Sequence, residues 1–132
     1  MKKFELTSET KINIFGKKLF RIKALISFAD VEAGETGGWV EKEGNVNQSG
    51  DAWVSDNAWV YGNAKVYGNA EVSGDAWVYG NAKVSGNAWV SDNAKVYGNT
   101  KVSGNAEVSG NAEVSGDAWV SDNAWVYGNA KV

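Results

Sequence analysis

The sequence predicts an all-β chain: a parallel β-helix of six-residue steps over residues 39–132, behind a small N-terminal β-meander cap at 1–38. Three observations carry this expectation. From Ser49 onward, fourteen hexads follow one another without insertion or slip, and Val closes each, from Val54 to Val132. Ala stands two places before that Val in thirteen of the fourteen, and Thr100 fills the remaining place. Between Val and the next Ala come Ser or Tyr, then Gly or Asp, then Asn or Asp, a run of turn formers.

The hexad has a simple physical reading. Ala-x-Val alternates, so Ala and Val face a core while the middle residue faces water. Gly and Asn tolerate positive φ, and Asn or Asp can bond local backbone amides. Each hexad is thus a short strand and a corner. A strict period of six suits neither a hairpin nor a helix, whereas three hexads, with three strands and three corners, close a triangular coil. Fourteen hexads make about 4.7 such coils, joined by main-chain bonds at about 4.8 Å and stable only when stacked. A disordered Gly/Ser/Asn tract would not hold Val in phase from Val54 to Val132.

The N-terminal segment reads differently. Phe4-Glu5-Leu6, Ile12-Asn13-Ile14 and Phe20-Arg21-Ile22-Lys23-Ala24 alternate, and Gly16-Lys17 can turn the chain. So small a meander does not stand alone. It is expected to lie over the first coil and cover the open strand edge and core cross-section. A looser hexad around Gly38-Trp39-Val40 leads into the repeat.

Composition excludes several classes. The formal charge is −3, split as +2 over 1–38 and −5 over 39–132, with no basic footprint for nucleic acid. There is no Cys, hence no disulfide or thiolate chemistry, and no His, the commonest general base and metal ligand. No signal-peptide or membrane-length apolar run is present. The expectation is a cytoplasmic protein with no catalytic residue, no metal, no cofactor, no nucleic-acid partner and no membrane partner. The calcium-binding nonapeptide pattern is absent, and a single Thr in the hexads does not make an ice-binding face.

The Val and Ala positions resemble the aliphatic and small residues of the hexapeptide-repeat family, whose members form left-handed parallel β-helices. The resemblance implies the left-handed sense. The junction Phe28-Ala29-Asp30-Val31-Glu32-Ala33-Gly34-Glu35-Thr36-Gly37-Gly38-Trp39-Val40 is similar to the lead-in of a bacterial and prophage branch labelled acetyltransferases. One departure stands out: the family often has Gly directly after the aliphatic residue, whereas here Gly comes one place later. Family acyltransferases use a His base and family carbonic anhydrases three His ligands, and this chain offers neither. Asp56, Asp75 and Asp92 are conceivable bases, but a surface carboxylate at a corner has no sequence-visible cause for a raised pKa.

With three hexads per coil, the outward residues form three ladders. They read Trp53, Glu71, Trp89, Glu107, Trp125; then Trp59, Trp77, Lys95, Glu113, Lys131; then Lys65, Lys83, Lys101, Trp119. Tyr61, Tyr79 and Tyr97 share a corner column beside the three lysines, and Asp56, Asp75 and Asp92 fall along another corner. Lysines in line suggest an anionic partner or, more simply, splayed flexible stems. Six outward indoles suggest a protein or carbohydrate contact, or mutual stacking. Residues 49–66 and 115–132 are identical, but their offset is not a whole number of coils, so the copies present the same side chains on different faces.

The sequence stops at Val132 within the repeat, and a solenoid cut there leaves unpaired amides and an apolar cross-section. The expected self-association edge is Trp125, Val126, Tyr127, Ala130, Lys131 and Val132, giving a tail-to-tail dimer by strand addition. A side-by-side trimer with its Trp faces inward is the competing homo-oligomer. The leading functional expectation is a non-catalytic scaffold or binding module with a protein partner, of phage-encoded type. Acyl transfer without His and carbohydrate binding along the Trp/Asp faces are the alternatives.

Overall fold

A computed structural model describes residues 2–132. It is an all-β parallel solenoid of about five turns, in which every strand of the repeat is two residues long. Brevity follows from the hexad, because the Gly or Asp two places after Val takes positive φ and turns the chain. Gly62, Gly86 and Gly104, for instance, lie at φ +68, +65 and +66. The strands stack into three faces, each rung three hexads on from the last. Trp53 pairs Glu71, which pairs Trp89, then Glu107, then Trp125. Trp59, Trp77, Lys95 and Glu113 form the second ladder, with Lys131 bridged to Glu113. Lys65, Lys83, Lys101 and Trp119 form the third.

The interior is a column of Val and Ala. Val54, Val60, Val66 and their successors through Val114 are fully buried, as are the alanines that flank them. Coil-to-coil bonds are regular: Trp53 N donates to Ala70 O at 3.1 Å, Glu71 N to Ala88 O at 3.0 Å, and Trp89 N to Ala106 O at 3.0 Å. Thr100, in an Ala position, is fully buried and its hydroxyl has no partner.

The N-terminal residues form an antiparallel meander of β1 (Phe4–Ile12), β2 (Lys18–Ala24) and β3 (Thr36–Val40). β3 then runs parallel to the Trp59 strand, pairing Trp39 with Trp59 and Val40 with Val60. The step from Trp39 to Trp59 is longer than the three hexads that separate later rungs, because a 3₁₀ turn, Glu43–Asn45, is let into the first coil. Ile12 and Ile14, read as part of an alternating strand, are exposed, whereas Asn13 is buried. Asn13 Oδ1 instead closes the β1–β2 turn, accepting the amides of Phe15 and Lys17 at 3.0 Å each.

The first coil's carbonyl rows are met in three different ways. On the Trp59 face the main chain of β3 does it, Trp39 N to Ala58 O at 2.9 Å and Glu41 N to Val60 O at 3.2 Å. On the Lys65 face the fully buried Asn45 donates its amide to Gly62 O and Ala64 O, at 3.2 and 2.9 Å. On the Trp53 face the buried Lys3 ammonium donates to Ala52 O at 2.7 Å and Gly50 O at 3.2 Å. Close packing continues beside it, since a Cβ at Gly37 would collide with the Val54 carbonyl.

Candidate binding surface

The three faces carry different chemistry, and the cap divides the outward residues into covered and free ones. The hexad pattern places Trp53 outside, yet it is 4 % exposed, clamped by Phe4 and Phe28 at 6.1 and 5.3 Å in edge-to-face geometry. Tyr61 is likewise buried, its ring 6.2 Å from Phe15 at the hairpin tip and packed with Leu19 and Trp39. Neither can meet a partner in this structure, because the meander reaches past the coil's end onto its sides. Nothing in the hexads themselves announces that overlap.

The second face is aromatic at its upper end. Trp59 and Trp77 stack at 4.5 Å and 6°, and Tyr61, Tyr79 and Tyr97 stack at 5.0 Å with nearly parallel rings. Rings stacked rung on rung spend their π-faces on each other. The Lys95 ammonium then lies over Trp77 at 4.6 Å, while Lys11 lies over Trp39 and Trp59 at 4.4 and 5.4 Å. Burial, with Arg21 nearby, holds Lys11 below the usual lysine range. Burial also pushes the phenols of Tyr61 and Tyr79 up, aided by the next tyrosine in the column. This stack is therefore a poor platform for a sugar ring, which needs an open aromatic face. The tyrosine column stands at the corner between the second and third faces, and its packing is with Phe15 and the tryptophans.

The first face alternates indole and carboxylate below Trp53. Trp89 is 52 % exposed although Glu71 and Glu107 lie on the rungs either side. Burial, reinforced by Asp30, pushes the Glu71 carboxyl up. Trp119, Trp125 and Tyr127, in the last described coil, are exposed as well. Ala130, Lys131 and Val132 are exposed with them, whereas Val126 still faces inward.

The acidic corner holds two distinct positions. Asp56 and Asp92 occupy the left-handed slot that Gly fills elsewhere, at φ +57 and +58. Each carboxylate accepts an amide one coil on, Gly74 N at 3.2 Å and Gly110 N at 3.1 Å. Asp75 sits instead in the Asn slot, its amide bonded to Asp92 O at 2.8 Å. The Asn slot has its own function, bonding side chain to side chain between coils rather than only to local amides. Asn63 donates to Asn81, Asn81 to Asn99, and Asn99 to Asp117, at 3.1–3.2 Å. A parallel ladder links Asn69, Asn87, Asn105 and Asn123. The signal was present in the recurrence of Asn or Asp at this slot in every hexad.

The third face is the basic one. Lys65, Lys83 and Lys101 are exposed, one above another, and Lys101 reaches over Trp119 at 5.0 Å. A groove of about 640 Å³, lined by Glu43, Val46, Gln48, Tyr67, Lys65 and Lys83 among others, opens on one side of the upper pair. A second, of about 450 Å³, opens on the other side between Lys42, Asn63, Asn81 and the same two lysines. Among the described residues there is no cluster of side chains suited to holding a metal ion. No helix among them is long and apolar enough to cross a membrane.

Stacked two-residue strands, an Ala/Val bore and side-chain ladders define a β-solenoid repeat protein. Residues 64–80 and 76–92 match the family model described as the YdcK beta solenoid repeat, each match about one coil long. No curated protein matches the chain.

Proposed function

We propose that this protein is a non-catalytic, rigid β-solenoid scaffold that self-associates and binds a macromolecular partner through its outer ladders. The observation that carries the reading is Trp89, an indole half in water although its rung is flanked on both sides. A large exposed aromatic on an otherwise polar, rigid face is the composition of a contact surface. The unbroken hexad register supports the scaffold half of the proposal, because it holds side chains at fixed spacing without loops that could wall a reaction site. Absence of His and Cys from the sequence weighs against the acyl transfer suggested by the hexapeptide-repeat resemblance. The prophage likeness of residues 28–40 suits a phage-encoded structural protein.

Two measurements test this. Light scattering of the purified chain is expected to give a dimer or trimer mass, lowered by Trp89→Ser when the Trp faces meet and kept when the C-terminal edge pairs; a strict monomer at every concentration rejects self-association. Calorimetry with acetyl-CoA is expected to show no heat, and no acetyl transfer to a panel of amino sugars. Turnover in that assay would overturn the non-catalytic reading.

A further inference from the structure

We propose that the Lys65–Lys83–Lys101 face is a binding lane for an acidic polysaccharide, running along the solenoid axis with its lysines paired to the uronate carboxylates that face the solenoid. The inference rests on the binding-module reading above and names its partner class. Three observations point there.

The lysines are unneutralised. The two ion pairs among the described residues are Lys2–Glu43 and Arg21–Glu9, and these three lysines join neither. Like charges paired directly across rungs oppose one another, and here Lys65 pairs Lys83, and Lys83 pairs Lys101. The lysine on the second face differs, since Lys95 has the Glu113 carboxylate on the next rung, whereas the rung below Lys101 carries the neutral Trp119. In a chain of net charge −3, the third face thus gathers positive charge that its own molecule leaves free.

The flanks beside the three lysines are rich in neutral hydrogen-bonding groups, with the carboxylates at the ends, Glu43 at the upper groove, where it pairs with Lys2, and Asp117 below Asn99. Asn63, Asn81 and Asn99 run down one side, and Asn69, Asn87 and Asn105 down the other, each ladder held by side-chain bonds between coils. One N–H of each amide is used in the ladder, which leaves the second free for a hydroxyl. A polymer that presents both regular carboxylates and many hydroxyls matches this lane better than one carrying charge alone. The ends of the lane are aromatic, with Tyr67 beside the upper groove and Trp119, 70 % exposed, on the last rung.

Spacing agrees with this. Rungs repeat at about 4.8 Å, so Lys65 and Lys101 stand about 9.6 Å apart, near the two-residue repeat after which a twofold uronan turns a carboxylate back to the same side, and the flexible stem of Lys83 between them can reach either. Grooves open on both sides of Lys65 and Lys83, giving the chain width to lie in.

The test is calorimetry of the full chain with a galacturonic acid oligomer, beside a neutral dextran fragment, a single-stranded DNA oligonucleotide and polyglutamate. The oligouronate is expected to bind, weakening as salt rises, with dextran silent and the other polyanions weaker. The combined variant Lys65→Gln, Lys83→Gln, Lys101→Gln should lose about tenfold or more in affinity while keeping its β-rich circular dichroism and melting temperature. Lys95→Gln should bind as the parent does. Equal binding by the triple variant, no binding of the oligouronate, or preference for DNA or polyglutamate overturns the lane. The acetyl-CoA assay reports on the scaffold reading independently, so an oligouronate failure with no acyl transfer sinks this inference alone.

Discussion

Asp56 and Asp92 show how one residue can break a rule and repair the damage. A non-Gly residue at positive φ carries strain of about 1–3 kcal/mol, and each carboxylate offsets it by accepting an amide from the next coil. The same logic predicts an unusual ranking at Gly86, which lies at φ +65 and where an added Cβ would stand only 2.9 Å from Gly104 N. Gly86→Ala should cost about 1–3 kcal/mol, and Gly86→Asp clearly less, because Asp can bond the Gly104 amide. Gly44→Ala, in open space at ordinary φ, should stay within about 0.5 kcal/mol. Urea denaturation measures all three, and Asp costing more than Ala would reject the repair. Thr100 is the opposite case, a buried hydroxyl without a partner where other hexads have Ala. Thr100→Ala should stabilise by roughly 1 kcal/mol; a lower denaturation midpoint would contradict it. Both Asp in the Gly slot and Thr in the Ala slot can be read from the hexad alignment. Their bonds cannot, because the partners lie a whole coil away in the chain.

The N-terminal meander is an element whose pieces were legible and whose consequences were not. Alternation located strand residues around Phe4 and Phe20–Ala24, and Gly16 the turn. That Lys3 would enter the core end was hidden, since a lysine so near the N-terminus reads as solvated charge. Its ammonium is held by Ala52 O and Gly50 O, and burial, partly opposed by Asp51, brings its pKa from 10.5 to about 8. Between those values the unfolded chain binds more protons than the folded one, so Lys3 makes stability rise with pH across that window. Tyr61 and Tyr79 act oppositely. Their phenols are raised above 10, so the unfolded chain loses those protons first and stability falls as pH climbs past about 10. The melting temperature of the parent minus that of Lys3→Met should therefore grow from pH 7 to pH 9.5. A flat difference would mean that the ammonium is not desolvated as placed.

At the scale of the whole molecule, stability is a sum of neighbouring coils, and register is the variable that matters. Excision of one full coil, residues 73–90, returns every lower rung to its own face and should leave a β-rich fold with a lower melting temperature. Excision of half a coil, residues 73–81, puts Val in the corner slot and Ser-Gly-Asn in the strand slots of every later hexad relative to the coil above, and should abolish cooperative melting. Circular dichroism and thermal scans of the two deletions decide this, and similar behaviour of both would contradict the sixfold register. The identical stretches 49–66 and 115–132 make the same point about context. Trp53 lies beneath Phe4 and Phe28, whereas its copy Trp119 stands in water on the lysine face.

Periodicity alone determined the bore, the corners, the three ladders and the all-β class, because a repeat of six propagates one local rule through every coil. Tertiary structure decided which outward residues are free. It also decided that asparagines bond across coils and that a buried ammonium closes one edge of the tube. Those outcomes depend on what lies above and beside each residue in space. A repeat whose copies differ so little carries almost no record of that.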